Sequence, residues 1–129
     1  MKSPRWIDRT ALLLLHGEAL AEHGGLAGLR DEGALDAALV RPQHLHAYEA
    51  KAGLDRLAAA YCFGLVRSHP FSDGNKRAGF LALGLFLSLN GFELSVDQAE
   101  AAETILRLAA GRLSENNLAA WIRKNMVRH

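Results

Sequence analysis

The run from Ala78 to Leu89, Ala-Gly-Phe-Leu-Ala-Leu-Gly-Leu-Phe-Leu-Ser-Leu, constrains the fold more than any other part of this chain. It is apolar nearly all round. A helix of that kind belongs in the centre of a bundle, because it has no polar face to give to water. A buried strand is the rival reading, but the segment is long and carries little β-branching. It is too short to span a bilayer, which takes about 20 residues, so no membrane is expected. Asn90-Gly91 supplies a C-terminal stop.

The rest of the composition agrees with a helical domain. Half of the 129 residues are hydrophobic, mostly Leu and Ala, and there are only three prolines. That mix favours helices over a large sheet. A chain of this length can bury roughly two-thirds of its unfolded surface, so a single domain over residues 1–129 is expected. The formal charge of +1 includes no extended basic stripe, and no nucleic-acid partner is expected. Cys62 is the one cysteine, which excludes an internal disulfide and fits a reducing compartment. Its neighbours Ala58-Ala59-Ala60 and Phe63-Gly64-Leu65 mark it as a small buried thiol. The apolar stretch Ala11–Leu15 is too short for a signal peptide, so the cytoplasm is the expected location.

Five further helices follow from periodicity and caps. The first is predicted from about Thr10 to Glu22, stopped by Gly24-Gly25, with Trp6, Leu13 or Leu14, and Leu20 inward. Asp31 caps a short second helix bearing Leu35, Ala38 and Leu39, which Pro42 is predicted to stop. Residues 43–52 show no clear period and read as a loop or flap, with room for a short hairpin. The third helix runs from about Leu54 to Val66 and the central fourth from about Asn75 to Asn90. Ser95 with Gln98 resembles a capping box for a fifth, ended by Gly111. Ser114 caps a sixth with Leu118, Trp121 and Ile122 inward. The fold class is therefore all-α, six helices around a central apolar one.

Directly before the apolar run stands His69-Pro70-Phe71-Ser72-Asp73-Gly74-Asn75-Lys76-Arg77. The first turn of a helix has unpartnered N–H groups and a partial positive charge. Lys and Arg at that end work against the helix dipole, and an anion would offset them. His69 is a proton acceptor near neutral pH. Asp73 is a hard oxygen ligand of the kind Mg²⁺ takes together with phosphate oxygens. Gly74 and Asn75 offer backbone N–H groups, and Asn75 a side-chain amide as well. Each residue alone has a plainer reading: a lone His is usually a satisfied side chain, a lone Asp before a helix a cap. Together they point to a phosphate site without identifying a substrate.

These nine residues resemble the signature of the Fic/Doc family, His-x-Phe-x-Asp/Glu-Gly/Ala-Asn-Gly/Lys-Arg, and match it at every defined position. Upstream, Gly24-Gly25-Leu26, Gly28-Leu29-Arg30-Asp31 and Leu35 to Arg41-Pro42 resemble the N-terminal half of death-on-curing (Doc) toxins. The resemblance implies a Fic/Doc-type bundle and use of ATP to modify a hydroxyl on a protein. Most members adenylylate their target; Doc-type members transfer the terminal phosphate. Adenylylating members usually have Gly where Lys76 stands and a further Arg where Phe80 stands. Both departures imply the Doc branch. The resemblance then implies His69 as base, Asp73 on Mg²⁺, Gly74 and Asn75 in the anion hole, and Lys76 and Arg77 on phosphates. It also implies a small antitoxin whose tail folds into a groove of the toxin, and a target such as elongation factor Tu, modified on a threonine. Relatives of the adenylylating kind carry an inhibitory Ser/Thr-x-x-x-Glu-Gly/Asn helix, a pattern this sequence lacks. A protein adenylyltransferase is the alternative activity. A non-catalytic binding module or a DNA-binding helix pair are rivals of another class, disfavoured by the intact signature and the weak charge. His44-x-His46 is a weak metal motif without a third ligand at a telling spacing. Tyr48 reads as a flap or core anchor, and Trp6 and Trp121 as packing residues.

Overall fold

The computed structural model describes residues 3–129. Among these, six helices follow in the order α1 (Arg9–His23), α2 (Glu32–Tyr48), α3 (Leu54–Ser68), α4 (Asn75–Leu89), α5 (Gln98–Ala109) and α6 (Glu115–Asn125). Two short strands, β1 (Phe92–Leu94) and β2 (Met126–Arg128), pair antiparallel, with Phe92 opposite Arg128 and Leu94 opposite Met126. Among the described residues, no helix is long and apolar enough to cross a membrane.

Side chains start most of the helices. Asp8, Asp31, Asp97 and Ser114 each accept an N–H from the residue three positions on, closing α1, α2, α5 and α6 at their N-termini. By contrast, α3 and α4 begin at Gly53 and Gly74 with no side-chain cap. For α4 that open end bears on the site.

The apolar run forms α4, and α4 shares the centre of the bundle with α3. α3 packs against α2, α4, α5 and α6, while α4 meets α1, α3, α5 and β1. Leu57, Tyr61, Leu65 and Val66 of α3 and Ala82, Leu83, Phe86 and Leu87 of α4 are all inaccessible to solvent. The two axes approach so closely at Gly79 that a Cβ there would lie 2.5 Å from Val66 Cγ2 and 3.1 Å from the Cys62 carbonyl oxygen. Tyr61 ties the N-terminal arm to this centre, its hydroxyl accepting the Ile7 N–H at 3.1 Å. Cys62 is buried as expected, and desolvation pushes its thiol pKa up to about 12. Trp6 stacks on Phe86 with ring centroids 5.9 Å apart, and half-buried Trp121 donates to Glu100.

Four local expectations are corrected. Pro42 does not stop α2, which runs through it to Tyr48. Proline removes the N–H that would bond the Ala38 carbonyl, a cost of about 3 kcal/mol in an isolated helix. Here Pro42 is itself buried, and contacts on both sides hold the helix together. Arg41 forms a bidentate ion pair with Glu115 of α6, and beyond the proline Leu45 packs on the core while His46 meets the edge of Trp6. Residues 43–48 are therefore helical and hold no hairpin; the ribbon in this fold is the distant pair β1–β2. The α5 cap is Asp97, not Ser95, whose N–H instead donates to the Asn125 carbonyl. On α1, the inward positions are Leu12 and His16. Leu13 is half-buried and Leu14 is 62% exposed. Four consecutive leucines give no phase, and the sequence alone placed the face one residue off.

Candidate active site

The loop between α3 and α4 brings the signature residues together at one end of the central helix pair. α3 ends at Ser68, and His69 follows in the left-handed conformation, φ 50° and ψ 57°. It is the one non-glycine residue with positive φ among those described. Pro70 and Phe71 are buried and plug the loop into the core. Phe71 stacks face to face on His16 of α1, ring centroids 3.8 Å apart. Asn75 is 9% exposed, and its amide is turned into the loop rather than toward the helix mouth. Its Oδ1 accepts the Phe71 N–H at 2.9 Å and its Nδ2 donates to the Phe71 carbonyl at 3.0 Å. Nδ2 also lies 3.5 Å from His69 Nδ1. Of the two functions expected of Asn75, the side chain serves as a clamp, which leaves the backbone N–H for an anion.

Gly74 opens α4 with φ 73° and ψ 27°, a left-handed conformation that glycine takes without strain. Ala78 is the first residue whose N–H bonds back into the chain, to the Gly74 carbonyl at 2.9 Å. The amides of Asn75, Lys76 and Arg77 take no partner among the described residues and point out of the helix end. Lys76 and Arg77 are exposed, and neither makes an ion pair or side-chain hydrogen bond among the described residues. Unpartnered amides and two cations at one helix start are an arrangement suited to an anion. Phe80, one turn on, is half-buried and packs against the core.

Asp73 is exposed, with one carboxylate oxygen accepting the Gly74 N–H at 2.8 Å and the other accepting the Leu26 N–H at 3.2 Å. Its remaining lone pairs suit a hard cation. No group of three or more potential metal-binding side chains occurs among the described residues. A magnesium ion at Asp73 fits this chain only if phosphate oxygens and water complete its shell, the usual arrangement for nucleotide-bound Mg²⁺.

Residues 24–31, between α1 and α2, form a strap across the loop. Ser72 N–H donates to the Gly28 carbonyl, and the N–H groups of Arg30 and Asp31 both donate to the Pro70 carbonyl. Leu29 and Phe71 form an isolated antiparallel bridge. Gly25 passes so close to the carboxylate that a Cβ would sit 2.9 Å from Asp73 Oδ2. The Arg30 side chain spans two carbonyls, donating from Nη2 to Ser68 and from Nε to His69.

Two residues of this constellation escaped the sequence reading. His16 is 4% exposed, with neither ring nitrogen hydrogen-bonded. Burial lowers its pKa below the ordinary histidine value, and the Asp73 charge and carbonyl offset that only in part. Its one sequence signal is its place four residues after Leu12, which marks an inward face and says nothing of the loop. Arg30 sits in a turn that carries no periodicity. His44 and His46, in contrast, lie near the C-terminal end of α2, His46 in its last turn. Two positions apart on a helix, they project in different directions.

Sequence comparison settles the family. The Fic/DOC family profile matches residues 6–87, from the N-terminal arm through α4. The chain belongs to the Fic/DOC family. It is 33% identical over 120 residues to the protein kinase doc of Escherichia phage P1, covering 93% of this chain and 94% of that one. It is 40% identical over 109 residues to toxin Doc of Mycolicibacterium smegmatis (strain ATCC 700084 / mc(2)155), covering 83% and 82%. Both relatives carry the Doc name, which agrees with the death-on-curing branch of Fic/DOC. The matched region includes all six residues of the candidate site.

Proposed function

We propose that this Fic/DOC protein is a toxin-type kinase that transfers the γ-phosphate of ATP to a hydroxyl group of a target protein. The observation that carries the reading is the open N-terminus of α4, where unpartnered amides meet the free cations Lys76 and Arg77. The names of the two relatives, a protein kinase and a toxin, support the same reading.

The transferred phosphoryl group passes through a loose transition state, so the protein's work is positioning and charge stabilisation. The open amides of Asn75 and Lys76 receive its equatorial oxygens at the turn that Gly74 makes, and Lys76 and Arg77 offset the charge on the polyphosphate. A ring nitrogen of His69 takes the proton from the attacking hydroxyl as the new O–P bond forms and the bond to the ADP oxygen breaks. Asp73 would hold Mg²⁺, which would supply charge neutralisation on the phosphate oxygens. Asn75 and the His16–Phe71 stack keep the loop in shape around these groups. The proposed target is a translation factor such as elongation factor Tu, modified on a threonine. The proposed controlling partner is an antitoxin that lays an amphipathic helix in a groove between the first helices, α1 and α2, and the signature loop. Both would act in the cytoplasm.

The half-buried Phe80 supports phosphoryl over adenylyl transfer, because an apolar ring packed on the core cannot grip a second phosphate. The test uses ATP labelled at either the α- or the γ-phosphate, incubated with candidate target proteins. Label retained from the γ position is the expected result. Label retained from the α position would overturn the kinase reading in favour of adenylyl transfer.

A further inference from the structure

We infer that Arg30 is a positioning residue that fixes the backbone, and hence the ring direction, of His69. The inference rests on the phosphoryl-transfer reading for the role of His69, but the geometry behind it does not.

His69 occupies a left-handed conformation that is strained for an L-residue and persists only where its surroundings impose it. Two peptide planes meet at its Cα. The plane on the N-terminal side carries the Ser68 carbonyl and sets φ; the plane on the C-terminal side carries the His69 carbonyl and sets ψ. The Arg30 guanidinium binds one oxygen of each, with Nη2 2.8 Å from the Ser68 oxygen and Nε 2.7 Å from the His69 oxygen. A guanidinium is planar and rigid, so its two donors cannot move independently. Holding both oxygens with one fork therefore holds the two planes in a fixed relation and locks φ and ψ together. The same contacts satisfy two carbonyls that the end of α3 would otherwise leave open.

The clamp is anchored on its own side. The Arg30 N–H donates to the Pro70 carbonyl at 2.8 Å, and Asp31, next along, caps α2. Residues 68, 69 and 70 are thus all gripped from position 30. Arg30 makes no ion pair among the described residues and is exposed, so neither a carboxylate partner nor core packing accounts for its placement. Lysine, a point donor on a flexible stem, can reach one carbonyl at a time and cannot reproduce the lock.

The test compares Arg30→Met and Arg30→Lys with the unaltered chain. Two readouts are taken: the ¹³Cα chemical shift of His69, which reports its φ and ψ without any activity, and steady-state transfer from labelled ATP. In both variants the His69 Cα shift is expected to leave the left-handed range. kcat is expected to fall about 10–100-fold, the effect of a small misplacement of a reacting group, with KM for ATP within about twofold. Lysine should not rescue. An unchanged His69 shift in a folded Arg30→Met variant would overturn the clamp, as would full activity in Arg30→Lys. Should Arg30→Met not fold, Arg30→Lys keeps the charge and stem and carries the same readouts. A lost γ-transfer reading with the shift still displaced would sink the kinase assignment and leave the clamp standing.

Discussion

His69 and His16 show how two residues of one type take opposite parts around the same loop. His69 is exposed at the end of α3, while His16 is sealed beneath Phe71. As the proposed general base, His69 is expected to be worth about 10²–10⁴-fold in turnover. A His69→Ala variant with near-normal transfer would remove it from the mechanism. His16 has a different signature. Its folded pKa lies below its unfolded value of 6.5, so the folded state binds fewer protons than the unfolded chain across that window. Its contribution to stability is complete above pH 6.5 and is lost as the pH falls through the lowered folded pKa. Melting curves from pH 7 downward should therefore show a loss that His16→Phe, which keeps a ring on Phe71, makes shallower. Equal slopes in the two proteins would show that His16 is not the titrating group. The nine signature residues were legible in the sequence because they are contiguous. His16 and Arg30 were not, because they reach the loop only after the chain has folded back on it, His16 from 55 residues before Phe71 and Arg30 from 39 residues before His69.

At the level of elements, legibility tracked whether the deciding force was local. The starts of α2 and α6 follow from Asp31 and Ser114, and the span of α4 from its own apolar run between a polar loop and Asn90-Gly91. The continuation of α2 past Pro42 was not legible, because what holds it is the Arg41–Glu115 pair and the packing of Leu45 and His46 against other elements. The β1–β2 ribbon was hidden for the same reason. Each strand is three residues long and finds its partner across α5 and α6, with no adjoining turn to announce it. The α3–α4 contact offers a direct test of close packing. A methyl group at position 79 would intrude on Val66 and the Cys62 carbonyl, so Gly79→Ala is expected to destabilise by about 1–3 kcal/mol in denaturant unfolding. Gly84, on the same helix with open space around it, is the matched control, and Gly84→Ala should be neutral or mildly stabilising. Equal behaviour of the two variants would contradict the close approach.

For the molecule as a whole, the buried α3–α4 pair is the rigid part and the mouth above it is held more lightly. Cys62 reports on the first. Its thiol is fully buried and its pKa is raised to about 12, so thiol reagents at pH 8 should label it only as fast as the molecule unfolds. Rapid labelling of the native protein would mean that the centre opens locally. The mouth is different in kind, since the strap of residues 24–31 meets the loop through main-chain hydrogen bonds and a few side-chain ones, between mostly exposed residues. Leu26, Arg30, Asp31 and Ser72 each commit an amide proton to that seam. Solvent deuterium can replace those protons only when the seam parts. The chain thus carries its own isotope clock for the opening of the site, readable at four named amides without any probe being attached.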